Sequence, residues 1–140
     1  MSFDAFDKAV HKAHVWLNEI AAEMGEGTTD QQAYAALRGV LQALRDRLNT
    51  DEAAQLAAQL PVLLRGIYYE GWTPAKTPLK IRHRDEFLEL VRRHMGKIDN
   101  VDAEAAARAV FAVLKRHVSA GEIDDVLAEM PGEIRELWAA

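Results

Sequence analysis

The 140-residue sequence contains no cysteine. Disulfides, thiol catalysis, iron–sulfur clusters and cysteine-ligated zinc are therefore excluded. The lack suits a reducing, cytoplasmic setting. Serine occurs only at Ser2 and Ser119, which leaves almost no material for a Ser–His–Asp triad. Neither Glu-x-x-His nor His-Glu-x-x-His occurs, so di-iron carboxylate and zincin chemistry lack their motifs. No cofactor is expected. The longest uncharged apolar run falls far short of the roughly 20 residues that a membrane span needs, so no membrane partner is expected. Met1-Ser2-Phe3-Asp4 carries an early acid and no apolar stretch, and no signal peptide is expected.

Sustained strand alternation is missing too. What is present is helical periodicity in a chain that is 49% hydrophobic and 28% charged, an ordinary globular balance. A chain of this length buries roughly two-thirds of its unfolded surface and needs no metal or disulfide to fold. Phe6, Val10, Ala13, Leu17, Ile20 and Met24 predict a helix over 4–24. Gly25 and Gly27 end it. Thr29-x-x-Gln32 opens a second helix that runs to about 48, with Ala33, Leu37, Val40, Leu41, Leu44 and Leu48 as its stripe. A third starts after Asn49 or Thr50 and breaks near Gln59 or Leu60, because Pro61 has no N–H and clashes with the preceding turn. A short fourth helix follows to about Tyr69. Further helices are predicted near 83–95, 101–117, 120–130 and 131–138. The fold class is all-α.

Sliding the chain by 70 residues aligns ten identities across positions 33–68, among them Arg38 with Arg108, Glu52 with Glu122, Pro61 with Pro131 and Arg65 with Arg135. Asn49-x-x-Glu52 and Ser119-x-x-Glu122 coincide as capping boxes, in which each Glu reaches back to its own N-cap N–H. A proline follows nine residues after each Glu. Two copies are too few for a solenoid. The expected architecture is two pseudo-symmetric helical-bundle repeats of about 70 residues, packed together as one compact domain. The first unit is 1–70, the linker 71–82 and the second unit 83–140.

Gln59-Leu60-Pro61-Val62-Leu63-Leu64-Arg65-Gly66-Ile67-Tyr68-Tyr69-Glu70-Gly71-Trp72 resembles the signature of the bacterial DUF2267 family. Ala36-Leu37-Arg38, Leu44-Arg45-Asp46-Arg47-Leu48 and Asp51-Glu52-Ala53 are similar to it as well. The resemblance implies a bacterial, soluble, helical protein and supplies no reaction, cofactor or catalytic residue.

Net charge is −5, unevenly spread. Residues 73–97 hold seven Lys or Arg against three acids, so this stretch is +4 and the remainder −9. Beside it lie several aromatics. Arg65, Tyr69, Trp72, Lys76, Lys80, Arg82 and Arg84 are therefore the candidate ligand-binding residues, for a small anion or nucleotide. The competing reading has Trp72 pinning the linker and Tyr68 capping the core. Asp7, His11 and His14 share a helical face with metal-ligand types, but Lys8 and Lys12 beside them oppose a cation, and no metal site is expected. Glu19 with Glu23, and Asp124 with Asp125, read as solvated faces. Gly25-Glu26-Gly27-Thr28-Thr29 lacks the Gly-Lys-Ser/Thr core of a phosphate loop. The repeated arginines are expected to pair with Glu52 and Glu122 inside each unit.

No catalytic constellation emerges, and an enzyme is disfavoured. The leading reading is a non-enzymatic interaction or regulatory module, with a protein partner or self-association. The alternative is an anion- or nucleotide-binding protein. Nucleic acid ranks last, because affinity for it rests on neutralised phosphates and most of this chain is acidic.

Overall fold

The computed structural model describes residues 3–139. Among them are eight α-helices and no strand. They are α1 (Asp4–Met24), α2 (Asp30–Arg47), α3 (Thr50–Ala57), α4 (Val62–Tyr69), α5 (Arg84–Met95), α6 (Ala103–His117), α7 (Ala120–Ala128) and α8 (Gly132–Arg135). Short 3-10 turns occupy Pro74–Lys76 and Glu136–Trp138. None of these helices is long and apolar enough to cross a membrane.

Local chemistry sets the boundaries. Thr29 and Gln32 form the full capping box: Gln32 N–H donates to Thr29 Oγ1 at 3.1 Å, and Thr29 N–H to Gln32 Oε1 at 3.0 Å. Asn49, Asp102 and Ser119 each accept one backbone N–H at the starts of α3, α6 and α7. The break before Pro61 comes slightly earlier than the sequence predicts. Arg65 explains why: it donates to the carbonyls of Ala57 and Leu60 at 2.9 and 3.0 Å, closing the end of α3. The predicted helix over 131–138 divides into α8 and a 3-10 turn.

The core lies around α2, which is buried along most of its length, including Leu37, Gly39, Val40, Leu41, Leu44 and Arg45. It packs against α1, α4, α5 and α6, and α1 also packs against α6. Phe87, Phe111 and Trp138 fill the other side, with the Phe111 and Trp138 rings stacked 3.9 Å apart. The α2–α5 crossing is close. A Cβ on Gly39 would stand 2.4 Å from Met95 Cγ and 2.9 Å from the Val91 carbonyl oxygen. Burying apolar area supplies most of the stability here.

Arg45 is the one fully buried cation among the described residues. It donates to the carbonyls of Tyr68 and Glu70 at 3.0 and 2.7 Å, and to Asp46 Oδ1 at 2.8 Å. Asp46 also meets His94 Nε2 of α5 at 2.8 Å. Burial works against the Asp46 charge, yet the bonds from His94 and Arg45 hold its carboxyl below the ordinary range. On α6, Lys115 donates to the Trp138 carbonyl at 2.8 Å.

Gly39→Ala should lower unfolding stability by about 2 kcal/mol, since the added methyl meets backbone as well as the Met95 side chain. Urea denaturation followed by far-UV circular dichroism measures this. Wild-type stability in the variant would show that the crossing yields at no cost.

Candidate functional site

The seven residues of the basic aromatic stretch are not brought together as one site. Arg65 is spent on the α3 carbonyls. Tyr69 and Trp72 are half-buried against the core, with ring centroids 5.3 Å apart, which is the packing alternative. Arg84 pairs with Glu136 and lies 3.8 Å from Glu104. Lys76 is exposed in the 3-10 turn. Lys80 and Arg82 do share a surface depression of about 390 Å³ with Pro78, Leu79 and a cation that sequence reasoning passes over, Arg47. Arg47 is held by a 2.7 Å bond to the Ile81 carbonyl. Burial, with Arg82 nearby, keeps its guanidinium below the ordinary value against the pull of Glu129.

The expected pairing of the repeated arginines with Glu52 and Glu122 does not occur. Arg38 donates to the carbonyls of His94 and Met95 at the end of α5. Arg108 pairs with Glu104 at 3.0 Å. Arg38 finds its acceptors at a helix end, and Arg108 finds one a turn away. The two glutamates do not close their capping boxes either. Asn49 N–H donates instead to Glu129 Oε1 at 2.9 Å, and Ser119 N–H to Gln59 Oε1 at 2.8 Å. With both N-cap donors satisfied across the α3–α7 contact, Glu52 and Glu122 turn into that contact and face one another.

Glu52 and Glu122 are only 8% and 7% exposed. Both have a buried Oε2 that no donor from outside the pair reaches. Asp125, exposed and one turn along α7, completes the group: one carboxylate oxygen from each of the three residues lies within 4.8 Å of the others. Burial pushes the Glu122 carboxyl up to about 8, and Glu52, Asp125 and Glu129 add to the rise. Burial also drives the neighbouring Tyr68 hydroxyl far above its ordinary value; it donates to the Ala53 carbonyl at 2.9 Å. Buried carboxylates at this spacing can share a proton or hold a cation. The sequence by itself reads these side chains as closing their own helix caps or pairing with the repeated arginines. The signal it had was that both belong to the aligned pair of copies.

The remaining candidates stay apart from this group. Asp7, His11 and His14 lie on an exposed face of α1. Glu19 and Glu23 are engaged by Arg116, and Glu19 also by His117 at 2.8 Å. Gly25 and Gly27, with positive φ, end α1 before the Thr29 cap.

Glu122 holds its proton more tightly in the folded chain than in the unfolded one. The folded state is therefore favoured fully below the ordinary value of 4.5 and loses that advantage as pH rises through about 8. In EDTA, Glu122→Gln should leave Tm nearly unchanged at pH 5 and raise it by about 5 °C at pH 9. Equal shifts at both pH values, read by scanning calorimetry, would contradict this sign.

A search of the curated proteins finds no match. The model of a family described as "Uncharacterized conserved protein (DUF2267)" matches residues 13–137. That span includes the core helices and the Glu52–Glu122 contact. It starts beyond the first turns of α1. The chain belongs to the DUF2267 family.

Proposed function

We propose that this protein is a non-enzymatic helical interaction module, built from two pseudo-symmetric repeats of about 70 residues. It pairs with a second copy of itself through the first turns of α1. The observation that carries this is the exposure of Phe3, Phe6 and Val10, at 64%, 71% and 47%. The α1 stripe that buries Trp16 and Ile20 continues outward through Val10 and Phe6, which stay exposed among the described residues. Phe3 and Phe6 pack edge-to-face, their centroids 5.2 Å apart.

The charges of this stretch favour a copy of itself as the occupant. Asp4 and Asp7 lie at one end, and Lys8, His11, Lys12 and His14 at the other. An antiparallel two-fold pairing sets each acidic end against the partner's basic end, as an isologous contact requires. Two such short segments bury less than the roughly 1,200–2,000 Å² of a stable interface. The association is therefore weak and salt-sensitive.

Support for the repeat comes from bonds that recur at a spacing of 70. Asn49 and Ser119 exchange N-cap donors with Glu129 and Gln59. Arg45 and Lys115 reach the carbonyls of Tyr68 and Trp138.

Sedimentation equilibrium from low to high micromolar chain should show a monomer–dimer equilibrium, abolished by Phe6→Asp with Val10→Asp. A monomer throughout would overturn self-pairing.

A second reading rests on the depression formed by Arg47, Lys80 and Arg82, three cations converging where a small anion or nucleotide phosphate could bind. Saturating ligand at 100 times its Kd adds about 2.7 kcal/mol of stability. Pyrophosphate or a nucleoside triphosphate should raise Tm in the wild type but not in Lys80→Glu/Arg82→Glu. The same response in both proteins would discard this site.

A further inference from the structure

We infer that Glu52, Glu122 and Asp125 form a binding site for one hard divalent cation, Ca²⁺ or Mn²⁺ in class, at the contact between α3 and α7. The arrangement differs from an ordinary acidic patch in two respects. First, Glu52 and Glu122 are each more than nine-tenths buried, and each presents an Oε2 that no donor from outside the pair reaches. A buried carboxylate oxygen without a partner costs free energy that a bound ion would offset. Second, one carboxylate oxygen each of Glu52, Glu122 and Asp125 lies within 4.8 Å of the others, drawn from two facing helices. Glu129 is already engaged by Asn49, through N–H at 2.9 Å and Nδ2 at 2.8 Å. The other three are left facing a common point.

The donor set selects the ion. It consists of carboxylate oxygens only, with no imidazole and no thiolate, which suits hard cations and not zinc or copper. Oxygens within 4.8 Å of each other can sit around an ion whose metal–oxygen distances are about 2.3–2.6 Å. Glu122 and Asp125 share a face of α7 at a spacing of three, and Glu52 comes from the facing helix. Asp125 is exposed and gives the ion a path from solvent, with water filling the remaining positions.

Electrostatics also limits the affinity. Glu52 and Glu122 both lie in the first turn of their helices. The positive ends of α3 and α7 favour ionised carboxylates but repel a cation. The expected Kd is about 10⁻⁵–10⁻³ M, within the span of natural Ca²⁺ sites. The ion would bridge a helix before the linker to one after it. This inference does not depend on whether two copies pair through α1.

The test uses the whole chain at pH 8 and constant ionic strength. Loss of the free Mn²⁺ paramagnetic resonance signal should titrate to one ion per chain, and excess Ca²⁺ should restore the signal. Millimolar Ca²⁺ should raise wild-type Tm by about 5 °C over EDTA, and the rise should vanish in Glu122→Gln. Asp125→Asn changes only an exposed side chain and should weaken Mn²⁺ binding at least tenfold while the chain keeps its wild-type far-UV circular dichroism. It decides the matter if Glu122→Gln fails to fold. Unreduced Mn²⁺ signal, or equal binding by wild type and Asp125→Asn, would overturn the site.

Discussion

A guanidinium buried at the C-terminal end of α2 holds the fold in register. Burying a charge is tolerated only when its donors are filled. Arg45 directs its Nε and Nη1 donors to the carboxylate of Asp46 and to the carbonyls of Tyr68 and Glu70, where α4 ends. Those carbonyls are among the ones a helix end leaves without partners, so one side chain closes α4 and fixes its direction. Asp46 passes the constraint on to His94 of α5, and its own carbonyl accepts from Leu79 N–H at 2.8 Å. The linker, α4 and α5 are therefore all tied to the last turn of α2.

The α3–α7 contact shows the converse. Here the polar groups are brought together before their charges are balanced. Gln59 and Glu129 take the N-cap donors of the opposite helices. This clips the two short helices together and releases the first-turn glutamates from capping. The released side chains have nowhere to go but inward, toward each other. An acidic pair in a protein interior is thus the by-product of well-satisfied backbone ends.

Helix positions were legible in the sequence because they depend on neighbours in the chain. Thr29, Asn49, Ser119, Pro61 and Pro131 act within a few residues of themselves, and the elements begin and end near the expected places. Side-chain destinations were not legible, since each depends on a partner far along the chain. Arg38 reaches residues 56 and 57 positions away, and Asn49 reaches one 80 away. The basic stretch looked like a single patch because its residues are adjacent in sequence. In three dimensions Arg65 turns back onto α3, Arg84 turns to Glu136, and Arg47 from α2 takes a place beside Lys80 and Arg82. Phe6 and Val10 obeyed the helical period like any core residue. Periodicity reports which side of a helix is apolar, not whether anything covers it.

The close crossing at Gly39 bears on how the chain folds. It presses together α2 and α5, helices on opposite sides of the linker. Much of the apolar surface of α2 is covered only after the intervening segment has looped back. A chain cut within the linker would leave that surface wet on the first fragment and the facing side of α5 wet on the second. The entropy of closing that loop must be met before the α2–α5 contacts repay it. Each stretch of sequence thus depends on the other to cover its apolar surface.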